Sequence, residues 1–231
     1  MSRPRLLDLF CCEGGAAVGY DRAGWDVTGI DLEPRFAKRY PFRFYAADAI
    51  AFVKVFGQDY DAIHASPPCQ AYSITKHGHS RQHPQLIEPV REALIATGRP
   101  YVIENVVGAP LIDPLLLCGS MFNLTAIDDD GTPLRMERHR LFESNVPLSA
   151  PRPDFHDKTV QVAGSYGGAR RDKWEAKHIR KGGYVPRIEI QQQLLDIDWM
   201  TQYGMYQSLP PVYTAHIGAQ LLTHIEGQAA A

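Results

Sequence analysis

Over residues 5–105, short runs rich in branched and aromatic residues alternate five times with longer amphipathic or glycine-opened stretches. Residues 6–10, 25–30, 42–46, 60–65 and 100–103 read as strands. Residues 14–20, a segment opened by Pro34, and residues 50–56 and 84–97 read as helices. In the last of these, Leu86, Ile87, Val90, Leu94 and Ile95 repeat at helical spacing. Pro34 suits a first helical turn because its φ is already set. Strands alternating with helices predict an α/β fold with a parallel, doubly wound sheet. Such sheets bind ligands at the carboxyl ends of their strands, so chemistry is expected there.

The second half breaks this rhythm. Asp128-Asp129-Asp130-Gly131-Thr132-Pro133 is a strong turn signal. A strand is expected over 160–168, a helix over 188–200 and a proline-opened helix over 210–225. Residues 227–231 are expected to fray as a tail. The longest apolar run, around 114–118, is far short of the ~20 residues of a membrane span. The basic N-terminus reaches Asp8 too soon for a signal-peptide core. A soluble, cytoplasmic chain is therefore expected. Its 24 basic and 26 acidic side chains leave a formal charge of −2, so nucleic-acid binding would require a local basic surface.

Four cysteines, Cys11, Cys12, Cys69 and Cys118, lack the density of a disulfide scaffold. Cys69 differs from the others by following Ser66-Pro67-Pro68 directly after the fourth strand. Consecutive prolines hold the chain extended and aim the next side chain, which is the layout of a nucleophile. Cys11 and Cys118 read as packing thiols. At the other strand ends, Phe10-Cys11-Cys12-Glu13-Gly14-Gly15 forms a tight glycine-bearing turn into a helix. Asp31 closes strand two, where a carboxylate accepts from ribose hydroxyls. Asp48 follows strand three, placed either to accept from an adenine amine or to cap the next helix. Glu104 ends the apolar run Tyr101-Val102-Ile103, so partial desolvation should raise its pKa.

Asp-Leu-Phe-Cys at 8–11, Pro-Pro-Cys-Gln-Ala-Tyr-Ser at 67–73 and Glu-Asn-Val at 104–106 stand in the order found in the DNA cytosine-5 methyltransferase family, which this chain resembles. Arg138-His139-Arg140 falls where that family has paired arginines. The ending, from Leu209-Pro210-Pro211 to Ile217-Gly218, resembles compact phage-borne members with a reduced recognition region. Three positions depart from the pattern. Cys12 stands where glycine is usual, Met136 where glutamine is common, and Gly218 is followed by Ala219 rather than asparagine.

The resemblance implies a Rossmann-like class I methyltransferase fold using S-adenosylmethionine. Cys69 would be the nucleophile and Glu104 the group at cytosine N3, with Arg138 and Arg140 holding the base. Phe10, Gly14, Asp31, Asp48 and Pro68 match cofactor-contacting positions. The expected division is a catalytic core over 1–145, a reduced recognition region over 146–187 and C-terminal helices over 188–226. Double-stranded DNA is the implied partner of a monomer in a bacterial or phage-infected cell, with a cognate restriction enzyme as a candidate partner. Transfer RNA as substrate, or a non-catalytic relic of the fold, stays open.

Residues 170–187 argue for DNA independently. Seven cations, Arg170, Arg171, Lys173, Lys177, Arg180, Lys181 and Arg187, face only two anions, with Trp174 and Tyr184 interleaved. His77, His79 and His83 lack a cysteine or carboxylate at matching spacing, so no metal is expected and 76–83 reads as a basic loop beside the nucleophile.

Overall fold

A computed structural model describes residues 2–69, 84–166 and 184–229. Its strands are β1 (Arg5–Leu9), β2 (Asp26–Asp31), β3 (Arg43–Ala46), β4 (Ala62–Ala65), β5 (Tyr101–Asn105), β6 (Leu115–Leu117), β7 (Thr125–Ile127), β8 (Pro133–Arg135), β9 (Arg140–Ser144) and β10 (Gln161–Val162). Its helices are α1 (Gly15–Ala23), α2 (Ala49–Phe56), α3 (Ile87–Thr97), α4 (Ile188–Leu195), α5 (Gln202–Gln207) and α6 (Pro211–Ala229). The main sheet runs β3-β2-β1-β4-β5-β9-β6. The first five strands are parallel, and β9 enters antiparallel between β5 and β6. A small second sheet, β10-β8-β7, carries the hairpin turn signalled at 128–133.

The alternation in β1 explains why both faces of the sheet are covered. Leu7 and Leu9 join a core with α2 and α3, while Leu6 joins the core that contains α1 and α6. A strand sends successive side chains to opposite faces. Asp8 therefore shares a face with Leu6, His64 with Ala62, and Glu104 with Val102. Asp8 stands opposite His64, and Glu104 lies one same-face step beyond Val102, the partner of His64, so three polar side chains share the α1 side of the sheet.

α6 completes that side. Thr214 Oγ1 donates to Ala16 O at 2.8 Å, and Trp25 Nε1 donates to Gly218 O at 3.0 Å. The close crossing requires Gly19, where a Cβ would lie 2.0 Å from both Pro211 O and Thr214 Oγ1.

Four expectations change. The helix read over 188–200 stops at Leu195, because Asp196 adopts φ 57° and ends α4; a separate helix, α5, begins at Gln202, where Thr201 caps it through Gly204 N. Of the strand read over 160–168, the described residues 160–166 form only the two residues of β10, and the segment opened by Pro34 is a 3-10 turn over Pro34–Lys38. α6 runs through Ala229, so the start of the expected tail is helical. Among the described residues no helix is long and apolar enough to cross a membrane.

Gly19→Ala should destabilise the chain by about 2 kcal/mol, the usual cost of overpacking. A urea midpoint that does not fall would show that α1 and α6 are not locked at this contact.

Candidate active site

The turn after β1 is built from left-handed backbone. Phe10 has φ 60°, Cys12 φ 49° and Gly14 φ 90°. Only glycine adopts such angles without strain, and a Cβ on Gly14 would also meet Pro41 Cδ at 2.8 Å. Cys12, in the place of the usual glycine, is therefore a strained residue held by its neighbours. Its N–H donates to Asp31 Oδ2 at 3.0 Å, and Glu33 N–H donates to Asp31 Oδ1 at 3.0 Å. Asp31 thus ties the β1 turn to the end of β2.

Phe10, Cys11, Cys12, Gly15 and Ala16 line one wall of a narrow cleft of about 40 Å³. The opposite wall comes from Met200, Gly204, Gln207, Ser208 and Leu209, and Asp8, Ser66 and Glu104 complete the lining. Of the residues expected at a cofactor, Phe10 lines this cleft. Gly14 caps α1, and Pro68 is half-buried beside Cys69. Asp48 is exposed and accepts from Ala51 N at 2.8 Å, the capping role left open by the sequence.

Asp8 is enclosed at the cleft's inner end. Burial raises its carboxyl to about 8, against the Tyr40 hydroxyl, which donates to Oδ2 at 3.3 Å. Oδ1 is buried with no hydrogen-bond partner among the described residues. On the same face, Tyr20 OH contacts His64 Nδ1 at 3.0 Å, and His64 Nε2 contacts Ser66 Oγ at 2.8 Å. Ser66 hydrogen-bonds Glu104 in turn. Complete burial drops the His64 pKa to about 3, so the ring is neutral and relays orientation rather than charge.

Glu104 is 7% exposed, and Arg140 Nε lies 3.0 Å from its Oε1. Burial lifts the Glu104 carboxyl above its ordinary range, opposed by Arg140, then Ser66 and Arg138. Cys69 is half-buried and lies within electrostatic reach of this pair. Burial pushes its thiol up and Glu104 adds to the rise, whereas Arg140 pulls it back. The Pro-Pro turn that presents it is held by Asn105, whose Nδ2 donates to Pro67 O at 2.8 Å in a buried contact.

Arg138 does not sit as expected. It is buried with φ 38°, and its guanidinium donates to four backbone carbonyls, those of Ser165, Met205, Tyr206 and Ser208. Burial, with Arg140 alongside, brings its pKa to about 10. Its donors hold the C-terminal wall of the cleft to the sheet, which leaves Arg140 as the guanidinium facing the Glu104 carboxylate.

The structure thus brings together Cys69, Glu104, Arg140 and Phe10 from four distant stretches of chain. The DNA-contact residues Arg170, Arg171, Lys173, Lys177, Arg180 and Lys181 lie outside the described residues, as do residues 70–83 with His77, His79 and His83. Sequence reading missed His64, Asn105 and the 200–209 wall. The signal for His64 was present: a lone histidine in an apolar strand, five residues before the cysteine.

No model of a protein family matches the chain. It is 30% identical over 248 aligned positions to the type II methyltransferase M.XorII of Xanthomonas oryzae pv. oryzae, an alignment covering 94% of this chain. The chain spans about half the length of that curated relative, 54%. Among solved structures, a DNA modification methyltransferase encoded within an E. coli prophage superposes with a TM-score of 0.61 at 14% identity, covering 97% of this chain and 99% of that one. The Dnmt2 methyltransferase of S. pombe gives 0.61 at 12% identity, covering 96% and 99%. These two likenesses establish the Rossmann-like methyltransferase fold. The similarity to M.XorII, together with the ordered motifs at 8–11, 67–70, 104–106 and 138–140, places this chain in the C5-cytosine DNA methyltransferase family.

Proposed function

We propose that the protein methylates C5 of cytosine in duplex DNA, with Cys69 as nucleophile and Glu104 and Arg140 as the groups that hold the pyrimidine. One observation carries this reading: a buried carboxylate paired with a guanidinium at 3.0 Å beside a half-buried thiol on a proline-stiffened turn. Three such groups at one cleft edge have no packing rationale, and each matches a chemical need of the reaction.

C5 of cytosine is a poor nucleophile until something adds at C6. The Cys69 thiolate forms the S–C6 bond, and the C5–C6 electron pair moves onto C5 and into the ring toward N3. Glu104, its pKa lifted by burial, hydrogen-bonds N3 and the exocyclic amine and stabilises that charge. Arg140 keeps Glu104 oriented and lowers the energy of the neighbouring thiolate. S-adenosylmethionine, the donor used by this family, supplies an electrophilic methyl carbon when bound. Loss of the C5 proton then returns electrons to the ring and expels Cys69 as thiolate.

The cleft suits such a donor. The unpartnered Asp8 Oδ1 at its inner end offers an acceptor to a cationic group. Phe10 supplies an aromatic surface on the lining, and Asp31 keeps unused lone pairs for hydroxyl groups. Because C5 and C6 are shielded in a duplex, the base must be flipped out, at a cost of a few kcal/mol. We assign the compensating phosphate contacts, on sequence alone, to Arg170, Arg171, Lys173, Lys177, Arg180 and Lys181 within a reduced recognition region over 146–187. Arg138 acts as a positioning residue for the cleft wall.

Incubation with S-adenosylmethionine and a duplex containing 5-fluorocytosine should give a denaturant-stable protein–DNA adduct that Cys69→Ser does not form. Methyl recovered only on adenine, or only in transfer RNA, would reject the reading. A second expectation concerns the thiol itself. Removing the cation in Arg140→Ala should raise the pH midpoint of Cys69 alkylation, followed by peptide mapping. A midpoint that stays or falls would mean that Arg140 does not govern the thiolate.

A further inference from the structure

Next to the strand end that carries Arg140, four side chains from three separate stretches converge where β6 ends and β9 begins. We infer that Cys118, His139, Asp154 and His156 form a tetrahedral binding site for one zinc ion. Their ligand atoms all lie within 4.8 Å of one another.

The fold explains how they meet. β6 and β9 pair antiparallel with Leu117 opposite Arg140, so the next row sets Cys118 against His139. The chain then returns over this end through residues 151–157. Asp154 and His156, two apart, both turn toward the pair: Asp154 Oδ2 lies 3.2 Å from His139 Nε2, and Oδ1 lies 3.1 Å from His156 Nε2. His156 Nε2 is also 3.2 Å from Cys118 Sγ. Ligands bound to zinc at 2.0–2.3 Å in a tetrahedron are separated by roughly 3.3–3.8 Å, so a small adjustment closes these four around an ion.

The chemistry of the set favours the same conclusion. Thiolate, two imidazoles and a carboxylate are zinc ligands, and a sulfur donor weighs against magnesium or calcium. The thiolate and carboxylate balance the ion's two charges. A second, independent feature is the outer nitrogen of His156: Nδ1 faces Glu137 Oε1 at 3.5 Å, and Glu137 is itself paired with Arg135. A carboxylate behind a ligating histidine fixes the ring and its tautomer, as in known zinc sites. Ser120 donates to Asp154 and orients it too. Four protein ligands and no open position describe a structural site. Cys118, expected as a packing thiol, becomes a ligand, and the expectation of no metal, argued from the spacing at 76–83, is revised. This inference does not rest on the methylation reading. His139 stands between Arg138 and Arg140, so the ion would also brace the turn that carries both.

Zinc measured by mass spectrometry, after purification from zinc-supplemented cells without chelator, should approach one equivalent per chain. Cobalt substitution should add a thiolate-to-cobalt charge-transfer band with intense tetrahedral visible absorption. Cys118→Ser should abolish the charge-transfer band while Cys69→Ser keeps it. Since Cys118 is fully buried, His156→Gln at the half-exposed rim serves as the second variant and should weaken zinc binding by at least about tenfold. Trace zinc only in the native protein would overturn the proposal. So would full zinc retention by His156→Gln, or a charge-transfer band that survives Cys118→Ser.

Discussion

The pairing of Glu104 with Arg140 is the contact on which the site depends. It joins the last parallel strand to the antiparallel strand beside it, with both side chains largely buried. Glu104 opposes Phe142, and Arg140, two residues away, shares Phe142's face. A carboxylate so buried would be costly without a partner. The guanidinium removes that cost and at the same time offsets the repulsion that the carboxylate imposes on the Cys69 thiol. Insertion of β9 next to β5 is therefore what lets an acid and a thiol share one desolvated corner.

Backbone strain concentrates around the same cleft. Of the six non-glycine residues with positive φ among those described, Phe10, Cys12 and Arg138 stand at the site. Such conformations persist only where the surroundings over-determine them. Here the restraints are identifiable: Asp31 grips the Cys12 amide, and four carbonyls grip the Arg138 guanidinium. The second restraint spans some seventy residues of chain. It makes the 200–209 wall part of the cleft rather than an appendage, and α6 then packs against α1 to hold that wall from behind.

Much of this could be read from the chain alone. The five strands and four helical segments over 5–105 follow from the alternation of apolar runs and from turn residues at their ends. Local chemistry also exposed the rigid presentation of Cys69, the apolar strand leading to Glu104, and the capping competence of Asp48. Reading failed where a contact spans distant positions. A helix period continued past Asp196 hid the left-handed break, because that residue's conformation is set by what it joins. Arg138 and Arg140, alike in sequence and two apart, differ entirely in surroundings.

Sequence by itself determined the type of sheet and the chemical candidates, because apolar periodicity and proline or glycine stereochemistry act within a few residues. Tertiary structure alone decided which candidates meet. Asp8, His64 and Glu104 share one face because strand register and alternation place them there, and the quartet of Cys118, His139, Asp154 and His156 exists because the end of the β6–β9 pair is covered by a returning segment. Register and coverage are properties of the packed chain, in which distance along the sequence no longer measures distance in space.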